Sequence, residues 1–185
     1  MDSVAWALRL IAEFNAADQR AQELVTALSP EQLNWQSGPG VWSVGQCLEH
    51  LCIFNEVYLP AISSSLEGKP ISRVQEITLG LPSRWFIKNY IEPSLQSKHA
   101  RAPNKIVPGA RVERSVLDRF RRSNQAAHEL IRHAGVYDVN RIRFKNPFIP
   151  AIRFTVGAGL EIVSRHERRH LLQAERVERS PGFPS

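Results

Sequence analysis

Near the C-terminal end of the chain, His166-Glu167-Arg168-Arg169-His170 places two imidazoles four residues apart with a carboxylate between them. On an α-helix, residues four apart lie one turn from each other on the same face. Two neutral imidazoles so arranged can share one divalent metal ion. Six histidines in 185 residues give about 0.2 such pairs by chance, so the spacing alone is a modest signal. A third histidine, His50, lies far upstream in "VWSVGQCLEHL". Whether the three can meet depends on the elements that carry them.

Those elements are helical. Periodic apolar residues predict four long helices, near residues 3–28, 43–66, 111–133 and 155–178. The first carries an inward stripe of Leu10, Phe14, Ala17, Ala21 and Leu28. The second has a marked start, with Ser43 as N-cap, Gln46 three residues on to close a capping box, and Trp42 before the cap to staple against Cys47. Pro60 should kink it and Gly68 should end it. The third carries Val112, Val116, Phe120, Ala127 and Ile131, with Gly135 at its end. "SPEQL" after the first helix predicts a short helix capped by Ser29 and Gln32.

Residues 68–110 hold five of the twelve prolines. They are too many for a plain helix connection and read as a long crossover or a lid, with a short helix starting near Pro82. The segment 138–154 reads as extended or irregular. Without convincing alternating strands, the pattern predicts one all-α domain over 1–185, a four-helix bundle with a long crossover between its second and third long helices.

Advancing about 100° per residue puts His50 among Ile53, Phe54, Val57 and Ala61. His166 and His170 fall among Val156, Val163, Ala174 and Val177. All three histidines then face the interior, and Arg165, Arg168, Arg169 and Arg176 face solvent. Two readings stay open: a metal site, or buried neutral histidines satisfied by hydrogen bonds. His99, His128 and His133 read as structural. Asn124 interrupts the apolar stripe of the third helix and is a candidate pocket residue. Gln46 and Gln173 sit one turn from candidate ligands, where they could orient imidazoles. Glu167 borders the ligand face and is a candidate general base, with a bundle-edge carboxylate bonded to an arginine as its plainer alternative.

The five-residue pattern also fits the zinc-protease motif H-E-x-x-H. Gln173 and Arg176 stand where the longer form of that motif needs Gly and His. Only 15 residues follow His170, and Glu175 and Glu178 lie on the same helix off the ligand face, so the pattern disfavours a protease of that type.

The net charge of +6 comes mostly from bases interleaved with acids, as in "ARVERSVLDRFRR", which describes solvated helix faces better than a nucleic-acid surface. No run of roughly 18 uncharged apolar residues is long enough to span a membrane. Cys47 and Cys52, five apart on one helix, point away from each other, which favours unpaired thiols and a cytoplasmic setting. Cys47 reads as core rather than as a ligand.

"VWSVGQCLEHL", "NPF" and "HERRHLLQAERV", in this order, resemble the DinB-like, or YfiT-like, superfamily of damage-inducible bacterial bundle proteins. The resemblance covers roughly residues 3–178 and is weakest from 68 to 110. It implies a four-helix bundle whose metal, nickel or zinc, is held by one histidine of the second helix and two of the last, here His50, His166 and His170. It also implies a small-molecule enzyme, either a metal-dependent hydrolase or an S-transferase using a low-molecular-weight thiol as co-substrate, and a homodimer. The rival reading is a non-catalytic metal-binding or interaction module of the same fold.

Overall fold

A computed structural model describes residues 4–92 and 103–185; His99 lies outside the described residues. Four long helices dominate: α1 (Ala5–Thr26), α3 (Val44–Ser64), α5 (Val116–Ala134) and α6 (Val156–Glu178). Helix α3 packs on α5 and α6, and α1 packs on the same two. Short elements fill the connections: α2 (Pro30–Asn34), α4 (Leu81–Phe86) continuing into a π-helical turn (Ile87–Ile91), and a 3₁₀ turn (Asn104–Ile106). The fold is all-α in class, with one two-stranded hairpin.

Local chemistry sets most boundaries. Ser43 accepts from Gln46 N while the Gln46 side chain accepts from Ser43 N, and Ser29 and Gln32 do the same at α2. Each box satisfies two backbone donors that a helix start leaves orphaned. Thr155 caps α6 by accepting from Ala158 N.

Three expectations need correction. The third long helix begins at Val116, five residues later than periodicity suggests. Asn34 of α2 brackets the backbone of Val112, accepting from its N–H at 2.7 Å and donating to its carbonyl at 2.9 Å. These bonds spend on a loop the groups that a helix would have used. The segment before α6 is a regular antiparallel hairpin, β1 (Arg143–Lys145) against β2 (Arg153–Thr155), with Phe144 opposite Phe154. On α3, Val57 is 36% exposed, so the buried arc is not the stripe predicted there; it runs through Leu51, Phe54, Tyr58, Leu59 and Ile62.

The buried apolar side chains form two clusters, one at each end of the long helices. Helix α3 passes from one cluster to the other between Cys52 and Phe54, α1 between Phe14 and Ala17, α5 between Phe120 and Ala127, and α6 between Val163 and Leu171. At this level the buried residues include Asn55, Asn124, His166, Glu167 and His170. A polar layer therefore crosses the middle of the fold.

The hairpin is locked onto α6 by a close approach at Gly159. A Cβ there would lie 2.5 Å from Phe144 Cε1 and 2.9 Å from Ile62 Cδ1. Alanine is the better helix former by about 1 kcal/mol, but overpacking a rigid aromatic contact costs about 1–3 kcal/mol. Gly159→Ala is expected to lower the urea midpoint despite the gain in propensity. A midpoint equal to or above that of the wild type would show that Phe144 moves freely.

Candidate metal centre

Three imidazoles meet at one edge of the polar layer. His50 is carried by α3, and His166 and His170 by successive turns of α6. All three are buried, and each offers a ring nitrogen within 4.8 Å of the others'. The ring centroids lie 4.5–5.0 Å apart, in edge-to-face arrangements. Trp42 covers His50 and His170 at centroid distances of 4.7 and 5.7 Å, and Phe54 lies 4.1 Å from His166.

Hydrogen bonding fixes which nitrogen of each ring is available. His50 Nδ1–H donates to the Ile106 carbonyl at 2.7 Å, and His170 Nδ1–H donates to Gln173 Oε1 at 3.0 Å. Both rings, when neutral, therefore present an Nε2 lone pair. His50 Nε2 lies 3.2 Å from His166 Nε2. His166 Nδ1 is buried with no partner among the described residues. If His166 donates from Nε2, its buried Nδ1 acceptor is left unsatisfied. If its proton sits on Nδ1, that N–H has no acceptor among the described residues and two Nε2 lone pairs face each other. A divalent cation relieves the lone-pair contact of the second arrangement. Ligands on a tetrahedral ion with bonds of about 2.0–2.1 Å stand roughly 3.3–3.4 Å apart. The residues present thus fit a metal ion.

Electrostatics agree. Burial pushes His50 down to about 4, and the buried charge on nearby Arg169 acts in the same direction. His166 and His170 are lowered well below the usual range, first by burial and then by neighbouring positive groups. All three are neutral at pH 7, the form that ligates metal.

The rings open onto a cavity of about 780 Å³. Its walls include Trp42, Phe54, Tyr58, Trp85, Phe86, Tyr90 and Phe148, with polar contributions from the histidines, Arg169, Gln173 and Asn146. Among the described residues, no aspartate or glutamate lines it.

The other sequence candidates divide. Gln173 Oε1 lies 3.0 Å from His170 Nδ1, within hydrogen-bond reach. The Gln46 amide is instead taken up by the capping box, by Gly109 O at 2.9 Å and by Gln36 at 2.8 Å. Asn124 is fully buried but does not line the cavity; it donates to Asp18 at 2.8 Å. Glu167 is 1% exposed, faces neither an arginine nor the cavity, and accepts from Asn55 Nδ2 at 2.8 Å. Its other oxygen and Asn55 Oδ1 are buried without partners among the described residues. Burial raises its pKa well above the usual range, with Asp18 adding to the effect. The neutral carboxyl is therefore favoured, and a general-base role at the cavity has no geometric support.

Two arginines expected in solvent are half-buried. Arg165 pairs with Glu161 at 3.1 Å and with Glu92, and Arg169 lines the cavity. The helical-wheel reading failed for them because the connection between α3 and α5 folds back across that face of α6. His128 is buried edge-on against Phe14, and His133 is exposed. Cys47 and Cys52 are buried free thiols. The cavity aromatics Trp85, Phe86 and Tyr90 were legible in sequence only as an unusual density in "LPSRWFIKNYI"; nothing local says that they face the histidines.

A model of the DinB superfamily matches residues 13–174. The chain belongs to the DinB superfamily. No curated protein sequence matches it. The match reaches from α1 through Ala174 on α6, so it includes His50, His166 and His170 in one segment. Among the described residues of this DinB-superfamily chain, no helix is long and apolar enough to cross a membrane.

Proposed function

We propose that the protein is a metal-dependent enzyme acting on a small molecule, with His50, His166 and His170 as the ligands of a nickel or zinc ion. The observation that carries this is the opening of three buried, neutral imidazoles onto a cavity of about 780 Å³. Among the described residues no fourth histidine, cysteine or carboxylate joins the set. Three protein ligands beside an open space is the pattern of a catalytic rather than a structural site. A cavity of this volume suits a small organic ligand.

When bound, such an ion supplies a lowered pKa for a coordinated water or thiol, and so a nucleophile near neutral pH. The chain's own residues do the rest. Ile106 O and Gln173 hold two of the imidazoles in orientation, and Trp42 and Phe54 hold the rings by packing. The aromatic walls bind the substrate and exclude bulk water. Among the described residues no carboxylate lines the cavity wall to activate the nucleophile, which suits chemistry that relies on the ion for that step. Hydrolysis and transfer to a low-molecular-weight thiol both qualify. We extend the proposal to the whole chain, 1–185, as one four-helix-bundle domain with a crossover between its second and third long helices, acting as a cytoplasmic homodimer.

The test is a screen of the purified protein, loaded in turn with nickel and zinc, against ester substrates and against electrophiles paired with cellular thiols. The expected result is turnover that is lost on chelation and restored by one of the two metals. Stoichiometric metal without turnover of any substrate would favour the non-catalytic metal-binding module.

A further inference from the structure

Arg169 differs from the other partly buried arginines of the described chain. Arg9, Arg20, Arg119 and Arg165 each pair with a glutamate. Arg169 has no carboxylate partner among the described residues; its Nη1 donates to the Tyr90 carbonyl at 2.8 Å. It is half-buried, and burial lowers its pKa. Residues 93–102, outside the described part, contain no aspartate or glutamate.

A guanidinium carries five N–H donors and stays charged in proteins. Its charge, partly removed from water, gains more from a buried anion than a surface lysine would. The single bond to Tyr90 fixes one edge of the fork and leaves other donors for a ligand. Among the described residues, the cavity that Arg169 lines also carries aromatic and aliphatic side chains, the three histidines, Asn146 and Gln173, and no acid to repel an anion. Arg169 lines the same cavity as His50, His166 and His170 and precedes His170 on α6. Anion and metal site therefore fall within one ligand's length.

We propose that the cavity binds a molecule with a planar, apolar body and a single carboxylate, and that Arg169 is the residue that holds the carboxylate. This rests on the reading of the cavity as the substrate site. One cation among the described lining residues matches a monoanion better than a dianion, because a second buried charge would go unpaired there. The aromatic faces of Trp42, Trp85 and Phe148 suit a ring or conjugated chain.

The test uses calorimetric titration of the chelated protein with 2-naphthoate and with its neutral counterpart, 2-naphthalenemethanol. Without metal, direct coordination of the carboxylate cannot contribute, so the outcome is independent of whether the metal reading stands; that reading is checked separately by metal content. The acid is expected to bind about tenfold or more tightly than the alcohol. Arg169→Met should bring the two affinities to within about twofold while leaving the alcohol's unchanged, and Arg169→Lys should keep part of the preference. Circular dichroism verifies that each variant is folded. Equal affinities in the wild type, an undiminished preference in Arg169→Met, or failure of both probes to bind would each overturn the assignment.

Discussion

Replacing His166 with alanine is expected to lower affinity for nickel or zinc by more than about a hundredfold. Losing a residue that merely orients a ligand already costs 10–100-fold in typical sites, and His166 contributes a donor atom. It is the ring that faces His50 across 3.2 Å, so its loss leaves two imidazoles and no compact set. His50→Ala and His170→Ala should behave alike. Gln173→Ala removes the acceptor of His170 Nδ1–H and should cost about tenfold. His133→Ala, exposed on α5, should cost nothing. Competition against a chelator measures all five. Metal at about 100 times its Kd should also stabilise the wild type by about 2.7 kcal/mol against unfolding, an increment absent in His166→Ala. Unaltered metal content in His166→Ala would remove the basis of the proposed function.

Acid is expected to unfold the metal-free protein well above the pH at which carboxylates alone would demand it. A histidine kept neutral by burial, but able to protonate near pH 6.5 once unfolded, adds a destabilisation that is absent above that pH. The destabilisation grows as pH falls toward the folded values, about 4 for His50 and well below the ordinary 6.5 for His166 and His170. Glu167 acts in the opposite sense. Its folded carboxyl keeps its proton above the unfolded value of 4.5, so its cost is present at neutral pH and shrinks as pH falls to 4.5. Three histidines against one glutamate leave a net slope of up to about 3 kcal/mol per pH unit between roughly 6.5 and 4.5. Urea midpoints of the chelated protein at pH 7, 6 and 5 read it directly. The midpoint should drop steeply, saturating metal should displace the drop to lower pH, and His170→Ala should flatten it by about one proton. A midpoint constant from pH 7 to 5 would mean that the histidines are not held neutral by the fold.

The sequence alone determined the helices, their caps and the identity of the three histidines. Helix starts are local chemistry. Ser43 with Gln46, and Ser29 with Gln32, sit within four residues of the groups they satisfy, so the boxes are visible without a fold. The inward direction of His166 and His170 follows from the 3.6-residue period, which places both on the face that also carries Val163 and Ala174. The same period turned His50 inward on the second long helix, and the DinB-like resemblance implied that the three form one ligand set. What helical geometry cannot supply is which second surface covers a helix. Val57 looked interior, but it is 36% exposed. Arg169 looked solvated, but the chain returning through Tyr90 encloses it. Glu167, adjacent to a ligand in sequence, is turned by the 100° step toward Asn55 and away from the cavity. The start of α5 was decided by Asn34, 78 residues away from Val112. Tertiary structure alone made the cavity, because its walls come from α3, α6, the crossover and the hairpin loop. Their meeting is fixed by long-range packing, which no local periodicity encodes.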